Sequence, residues 1–474
     1  MKLFKDKKFY IFLGIVILFF GLLIKMNYSV DTYLLLSSPR MGYIQEYLSS
    51  GRIFTFLFFF ILGFLQVPHY IMYLLSYLIA IFLTTLSVYE LNKVLDKYVS
   101  NKTLSSILSI AIIINPLIIE LWLFIETGIM MLSIFASVMV FKYFDKYLEK
   151  YDKSNLKYSF IWMIIGLFSY QGTIALFIAL SMISILNKKK DFIKNNFIML
   201  LVYGIPTVIN YLFVLLFSRK RVGGSLDLGR NIRVIIESSR QLFDGFGLYF
   251  RGFISIILIT SIILVIYYIV TDKNKKNNKS NLLLSVLYII FMIYLFTILP
   301  IIPQTGERIA VYPRTCYVFL SMIGILFLYV NKKGNYKILS TLLIILLVGE
   351  FFTFTRLEVN RFRVNELDKE IILKIEKKVK DYEKVTNIKV NKLAIYNLDK
   401  SHKFYDRLDD RINVSAVKEK PSGIAIYTYY TKRRLSYTDS DKFVEYEYFY
   451  NKNYNKFSLD QVVIIDDTIH WYLY

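Results

Sequence analysis

The sequence predicts an all-α polytopic membrane protein that carries a small α+β domain at its C-terminal end. Three observations predict it. The 474 residues are 55% hydrophobic and yet bear a formal net charge of +22, whereas soluble domains average about 45–50% apolar residues even with glycine counted. The chain holds 39 Phe and 39 Tyr, and basic disordered segments are poor in aromatics. Apolar runs of about 16 to 22 residues, the length that crosses a hydrocarbon core, recur through most of it. A single Cys, Cys316, inside an apolar run excludes a disulfide framework or a Cys-rich zinc site. His69, His402 and His470 are too scattered for a histidine metal cluster.

Taken in order, the first run (9–24) has a lysine-rich front, as a signal peptide would. Its exit, Lys25-Met-Asn-Tyr-Ser-Val-Asp31, lacks a small-x-small cleavage site, so the run is expected to stay as the first span. Further spans are expected at 70–89, 104–119, 128–143, 158–170, 172–186, 197–217, 248–270, 282–299, 315–330 and 338–354, making about eleven transmembrane helices. The run 53–67 is read as a re-entrant or interfacial helix, because counting it as a span would invert every later loop. With that choice the segments 1–8, 91–102, 142–157, 187–194, 272–281 and 331–337 face the cytoplasm, and their basic residues are all lysines.

The outer loops carry mostly arginines: Arg40, Arg52, Arg219, Arg221, Arg230, Arg233, Arg240 and Arg308, with Arg314 at the mouth of the next helix. A planar fork that grips phosphate through two bonds suits arginine better than lysine, so the split hints at an anion site on the outside. After Phe354 the chain turns charged and polar. Leu367, Ile371, Ile372, Ile375 and Val379 fall at helical spacing, followed by expected strands near 392–396, 424–430, 462–465 and 468–473. Two domains are therefore expected, 1–355 in the membrane and 356–474 beyond it, and an odd number of spans sets the N-terminus in the cytoplasm and the tail outside.

Several polar groups stand out against the apolar sequence. Asp31, just past the first span, reads either as a solvated helix-flanking carboxylate or as a general base at the membrane surface under a lid that excludes water. Glu120 and Glu126 sit amid Ile, Leu, Trp and Phe, where acids are costly unless paired or functional. They read either as interfacial caps, with Glu126 at a helix start, or as active-site acids. On one helix they would lie on different faces, but Pro116 lets the segment bend. Arg52 in Ser49-Ser-Gly-Arg52, and Arg308 and Arg314 either side of Tyr312-Pro313, read as snorkelling anchors or as clamps for a lipid-linked phosphate. Tyr170-Gln171-Gly172 reads as a tight turn or as a pair of sugar hydrogen-bonders. Lys432-Arg433-Arg434 reads as a solvated face and not as a nucleic-acid site. The chain holds no Walker sequence, Gly-x-Ser-x-Gly or His-Glu-x-x-His.

A long first outer loop with an early acid, a second with an acid heading the fourth span, and an extracytoplasmic tail resemble the GT-C membrane glycosyltransferases. Within them the sequence is most similar to the GtrII-like glucosyltransferases, on Asp31-Thr-Tyr33, Ser50-Gly-Arg52, Asn115-Pro116 with Glu120 and Glu126, and Ser169-Tyr-Gln171. The resemblance implies Asp31 as catalytic base, Glu126 and Glu120 as further active-site acids, and a polyprenyl-phosphate sugar as donor. On that reading Arg52, Arg308 and Arg314 hold the donor phosphate, while Tyr33, Tyr170 and Gln171 contact sugar or acceptor. The family commonly has Asp where this chain has Glu126, and paired acids where it has a lone Asp31. A divalent cation, Mg or Mn, would take Asp31 and Glu126 as oxygen ligands.

The function expected is transfer of a hexose, glucose by the resemblance, from polyprenyl phosphate to a cell-surface polysaccharide or glycolipid outside the membrane. Two alternatives stay open. A lipid-linked sugar flippase should show paired half-repeats and mid-membrane charges, and the sequence has neither. A surface-polysaccharide polymerase or ligase would use the same phosphate chemistry on a longer donor.

Overall fold

The computed structural model describes residues 5–25, 28–37, 40–187, 191–217, 228–243, 259, 263, 279–298, 313–321, 324–325, 336–397, 415–418, 420–438 and 457–473. These are mostly helical. Among the described residues five helical segments are long and apolar enough to cross a membrane: Lys7–Lys25, His69–Leu95, Lys102–Trp122, Thr127–Lys150 and Phe192–Phe217. Ile53–Phe64, Gln171–Asn187 and Leu287–Thr297 are shorter apolar helices. By length and composition the chain is a helical membrane protein. The expected span 248–270 lies outside the described residues, apart from two isolated positions. Ile53–Phe64, expected to lie at the interface, is a helix of 12 residues, shorter than the roughly 20 that a crossing needs.

The chain divides into two compact units, one of Met1–Gly21 with Gln45–Phe354 and one of Leu22–Ile44 with Thr355–Tyr474. Against the expected domains 1–355 and 356–474, the difference is Leu22–Ile44, which carries Asp31 and groups with the tail.

In the first unit the helices start where their sequences supply a cap. Asp6 accepts a hydrogen bond from the Lys8 amide at 2.9 Å, Asn101 from Leu104 at 3.0 Å and Asp152 from Ser154 at 2.9 Å, each relieving an amide that the first helical turn leaves unpaired. Thr127–Lys150 lies at the centre, packed on His69–Leu95, Lys153–Ser169 and Leu176–Asn187. Gly128 makes the first of these contacts close: a Cβ there would stand 2.5 Å from the Ser76 carbonyl oxygen, and the Gly128 amide donates to Ser76 Oγ at 2.9 Å. Small residues permit such backbone approach between membrane helices. Near the far end of the same helix the fully buried Asp145 accepts hydrogen bonds from Lys97 Nζ (2.9 Å), Ser184 Oγ (2.7 Å) and the Tyr98 hydroxyl.

The 104–119 run does not cross as one helix. Lys102–Ile113 stops where Ile114 turns extended, and the Asn115 side chain caps a short turn, Pro116–Ile118, accepting from Leu117 N at 3.2 Å. One helical turn, Ile119–Trp122, follows. Pro116 supplies the break, since its ring cannot continue a helix begun upstream. Trp122 then stacks on Phe20 at 4.0 Å between ring centroids.

In the second unit the helix Tyr336–Thr386, which belongs to this unit from Thr355 onward, precedes a four-stranded sheet. Its strands are β1 (Lys392–Asn397), β2 (Ser436–Tyr437), β3 (Val462–Ile465) and β4 (Thr468–Leu473), in the order β2-β1-β4-β3. β1 runs parallel to β2 and β4, and β3 and β4 pair antiparallel with Val462 opposite Trp471. The expected helix around Leu367–Val379 and three of the four expected strands are present. The fourth is a correction: residues 424–430 lie in a helix, Lys420–Thr431. Ile, Tyr and Thr there suggest a strand by composition, but Ser422, Ala425, Ile426 and Tyr427 are buried at helical spacing, and Gly423 lets the helix lie directly on Ile395 of β1.

Candidate active site

The first unit draws six of the expected residues together. Arg52 follows a turn at Ser50-Gly51 and precedes the helix Ile53–Phe64. Its guanidinium lies over the Tyr170 ring, 4.8 Å from the centroid, and Nη1 stands 3.9 Å from Glu126 Oε1. That separation is within ion-pair range but beyond a hydrogen bond. Arg52 Nε is buried and has no hydrogen-bond partner. Glu126 directly precedes the helix Thr127–Lys150 and makes no side-chain cap bond, so its carboxylate is not spent on the helix end.

Arg314, in the turn Pro313–Cys316, lies close enough to the same tyrosine for its charge to act on the Tyr170 side chain. Glu120 holds it at two points: the Arg314 amide donates to Oε2 at 2.7 Å and the guanidinium to Oε1. The guanidinium also lies over the Phe124 ring at 5.0 Å. Glu120 and Glu126 are both buried, each against an arginine, and buried charges are found paired.

Gln171, expected to contact sugar, instead grips the Arg52 turn. Its Nε2 donates to the Ser50 carbonyl at 3.0 Å and to Asn210 Oδ1 at 3.2 Å. Asn210 was not anticipated from the sequence. It stands buried in the helix Phe192–Phe217, and a lone amide in an apolar run is the signal that could have marked it.

The remaining expected residues lie elsewhere. Asp31 belongs to the second unit, exposed on the first turn of the helix Val30–Ser37. Tyr33 of that helix is fully buried, and burial holds its hydroxyl well above its ordinary value near 10. Arg308 lies outside the described residues.

One guanidinium over a phenol and a second near it, with a buried N–H unbonded, form a setting for an oxyanion. A family model described as Glucosyl transferase GtrII matches residues 10–331, more than half of the chain. The chain belongs to the GtrII glucosyl transferase family. No curated protein and no solved structure shows a significant match to it.

The matched region of this GtrII glucosyl transferase contains every residue of the arginine–tyrosine cluster, and Asp31. Beside Glu126, Thr127 Oγ1 is buried without a hydrogen-bond partner, as is Trp122 Nε1 in the same segment. Buried polar atoms left open cost stability. Among the described residues no group of three or more His, Cys, Asp or Glu could hold a metal ion. Glu126 and Glu120 each face an arginine.

Proposed function

We propose that the protein moves glucose from a polyprenyl-phosphate donor to a surface polysaccharide or glycolipid on the extracytoplasmic side of the membrane, inverting the anomeric centre. The observation that supports it is the convergence of Arg52 and Arg314 on Tyr170, with Arg52 Nε unbonded. An acceptor hydroxyl attacks the anomeric carbon as its proton passes to the Asp31 carboxylate, and the bond from that carbon to the phosphate oxygen breaks. The departing phosphate gains charge, which Arg52 and Arg314, with Arg308, stabilise. Glu126 and Glu120 hold the arginines apart and aimed, so that they are arranged before the donor arrives. Tyr170, buried under the Arg52 guanidinium, braces it.

The test is Asp31→Asn in the full chain, with mass analysis of surface glycan. Loss of a single hexose branch at unchanged expression and membrane insertion is expected. A fully active Asp31→Asn enzyme would remove Asp31 from the mechanism, and shortened glycan chains would point to polymerisation instead.

A further inference from the structure

Asp31 and Tyr33 lie two residues apart on the helix Val30–Ser37. Two residues at about 100° each place side chains on nearly opposite faces. The buried side is Tyr33. Its hydroxyl donates to Asn365 Oδ1 at 3.1 Å and pairs with the Tyr430 hydroxyl at 3.0 Å. Its ring meets Tyr28 at 5.5 Å and Tyr429 at 5.7 Å, both edge-on, with Tyr28 and Tyr429 themselves 5.8 Å apart. The exposed side is Asp31.

The start of this helix is fixed locally as well. Ser29 Oγ accepts from the Thr32 amide at 3.2 Å and pairs with Thr32 Oγ1 at 3.0 Å. A helix of 8 residues is too short to hold itself in water, so its order must come from what it packs on. What it packs on is the tail: Asn365 from the long helix, and Tyr429 and Tyr430 from Lys420–Thr431, more than 330 residues downstream. The expected role of Tyr33 as a sugar contact does not suit a fully buried ring whose hydroxyl is already engaged.

We infer that the C-terminal domain is a positioning element of the transferase: Asn365, Tyr429 and Tyr430 grip Tyr33 and thereby hold the short helix so that its opposite face presents Asp31. This rests on Asp31 being the base. The domain then serves the chemical step and is more than an appendage that collects acceptor.

The experiment compares Tyr33→Phe, Tyr430→Phe and the double variant in the full chain, in membranes. Removing the hydroxyls while keeping the rings preserves packing. Two readouts are needed. Hydrogen exchange of the amides in Val30–Ser37 should quicken about tenfold in each variant, with His69–Leu95 unchanged, because a buried hydrogen bond is lost. With polyprenyl-phosphate glucose as donor, kcat should fall about tenfold in Tyr33→Phe at constant donor KM and less in Tyr430→Phe, and the double variant should lose little more than Tyr33→Phe alone, since that change already breaks the bond to Tyr430. Unchanged exchange overturns the grip. A raised KM at constant kcat also overturns it, because Tyr33 would then contact substrate. Quickened exchange in an enzyme whose Asp31→Asn form is active leaves the grip standing and refutes the base.

Discussion

Asn210 Nδ2 donates to the backbone carbonyl of Gly51 at 3.1 Å, so a residue in the helix Phe192–Phe217 sets the turn that launches Arg52. Gly51 has φ of +75°, and a Cβ there would stand 2.7 Å from Val214 Cγ2 and 3.0 Å from Asn210 Nδ2. Left-handed backbone and a crowded site both demand glycine. Gly51→Ala is expected to destabilise the protein by about 2–4 kcal/mol, read as a lowered midpoint of thermal unfolding in detergent. Asn210→Leu leaves two carbonyls less well held and is expected to cut transfer more than it cuts expression.

Arg52→Lys keeps the charge but gives up the flat contact with Tyr170 and the fork of donors. Steady-state kinetics should show donor KM rising about tenfold, on the order of 1.4 kcal/mol, with a smaller change in kcat. Equal kinetics for Lys and Arg at this position would remove the phosphate role from Arg52.

Glu120→Gln removes the counter-charge of Arg314, where the two side chains are 9% and 17% exposed. Stranding one member of a pair this buried costs about 3 kcal/mol. Thermal unfolding should move down accordingly, and Glu120→Gln with Arg314→Met should recover part of the loss, as a double-mutant cycle would read.

In the tail, Arg433 bonds Glu383 through both terminal nitrogens, at 2.7 Å and 3.0 Å, and Glu376 through Nε and Nη2, both at 3.0 Å. Arg433 holds the Glu383 carboxyl below its ordinary value near 4.5. A depressed folded value means that the unfolded chain binds the proton more readily. The contribution to stability is therefore complete above pH 4.5 and drains away as pH falls through the lower folded value. Arg433→Met should flatten that acid limb when tail unfolding is followed against pH.

Much of this was legible before any coordinates. The bend at Pro116 and the terminal strand pair follow from local chemistry, which sequence displays directly. What was hidden depends on long-range contact. Arg52 and Arg314 are separated by most of the matched region, and nothing local says that they meet at Tyr170. The same holds for Tyr33, whose neighbours Tyr429 and Tyr430 come from the far end of the chain. Residues 424–430 have the β-branched and aromatic content of a strand, yet Gly423 and Pro421 suit a helix that begins at Lys420 and lies close on β1, which is what forms.

The helix Thr127–Lys150 is pinned at both ends, with Glu126 against Arg52 at one and Asp145 within its cluster of Lys97, Tyr98 and Ser184 at the other. Nineteen residues at about 1.5 Å each separate those pins by roughly 28 Å, close to the roughly 30 Å of a bilayer's hydrocarbon core. The helix is in effect a gauge cut to one lipid thickness. In a thicker or thinner bilayer it can tilt, but it cannot slide without opening one of its ends. A change of acyl-chain length would therefore load the two pins, Glu126 with Arg52 at one end and Asp145 with Lys97 at the other.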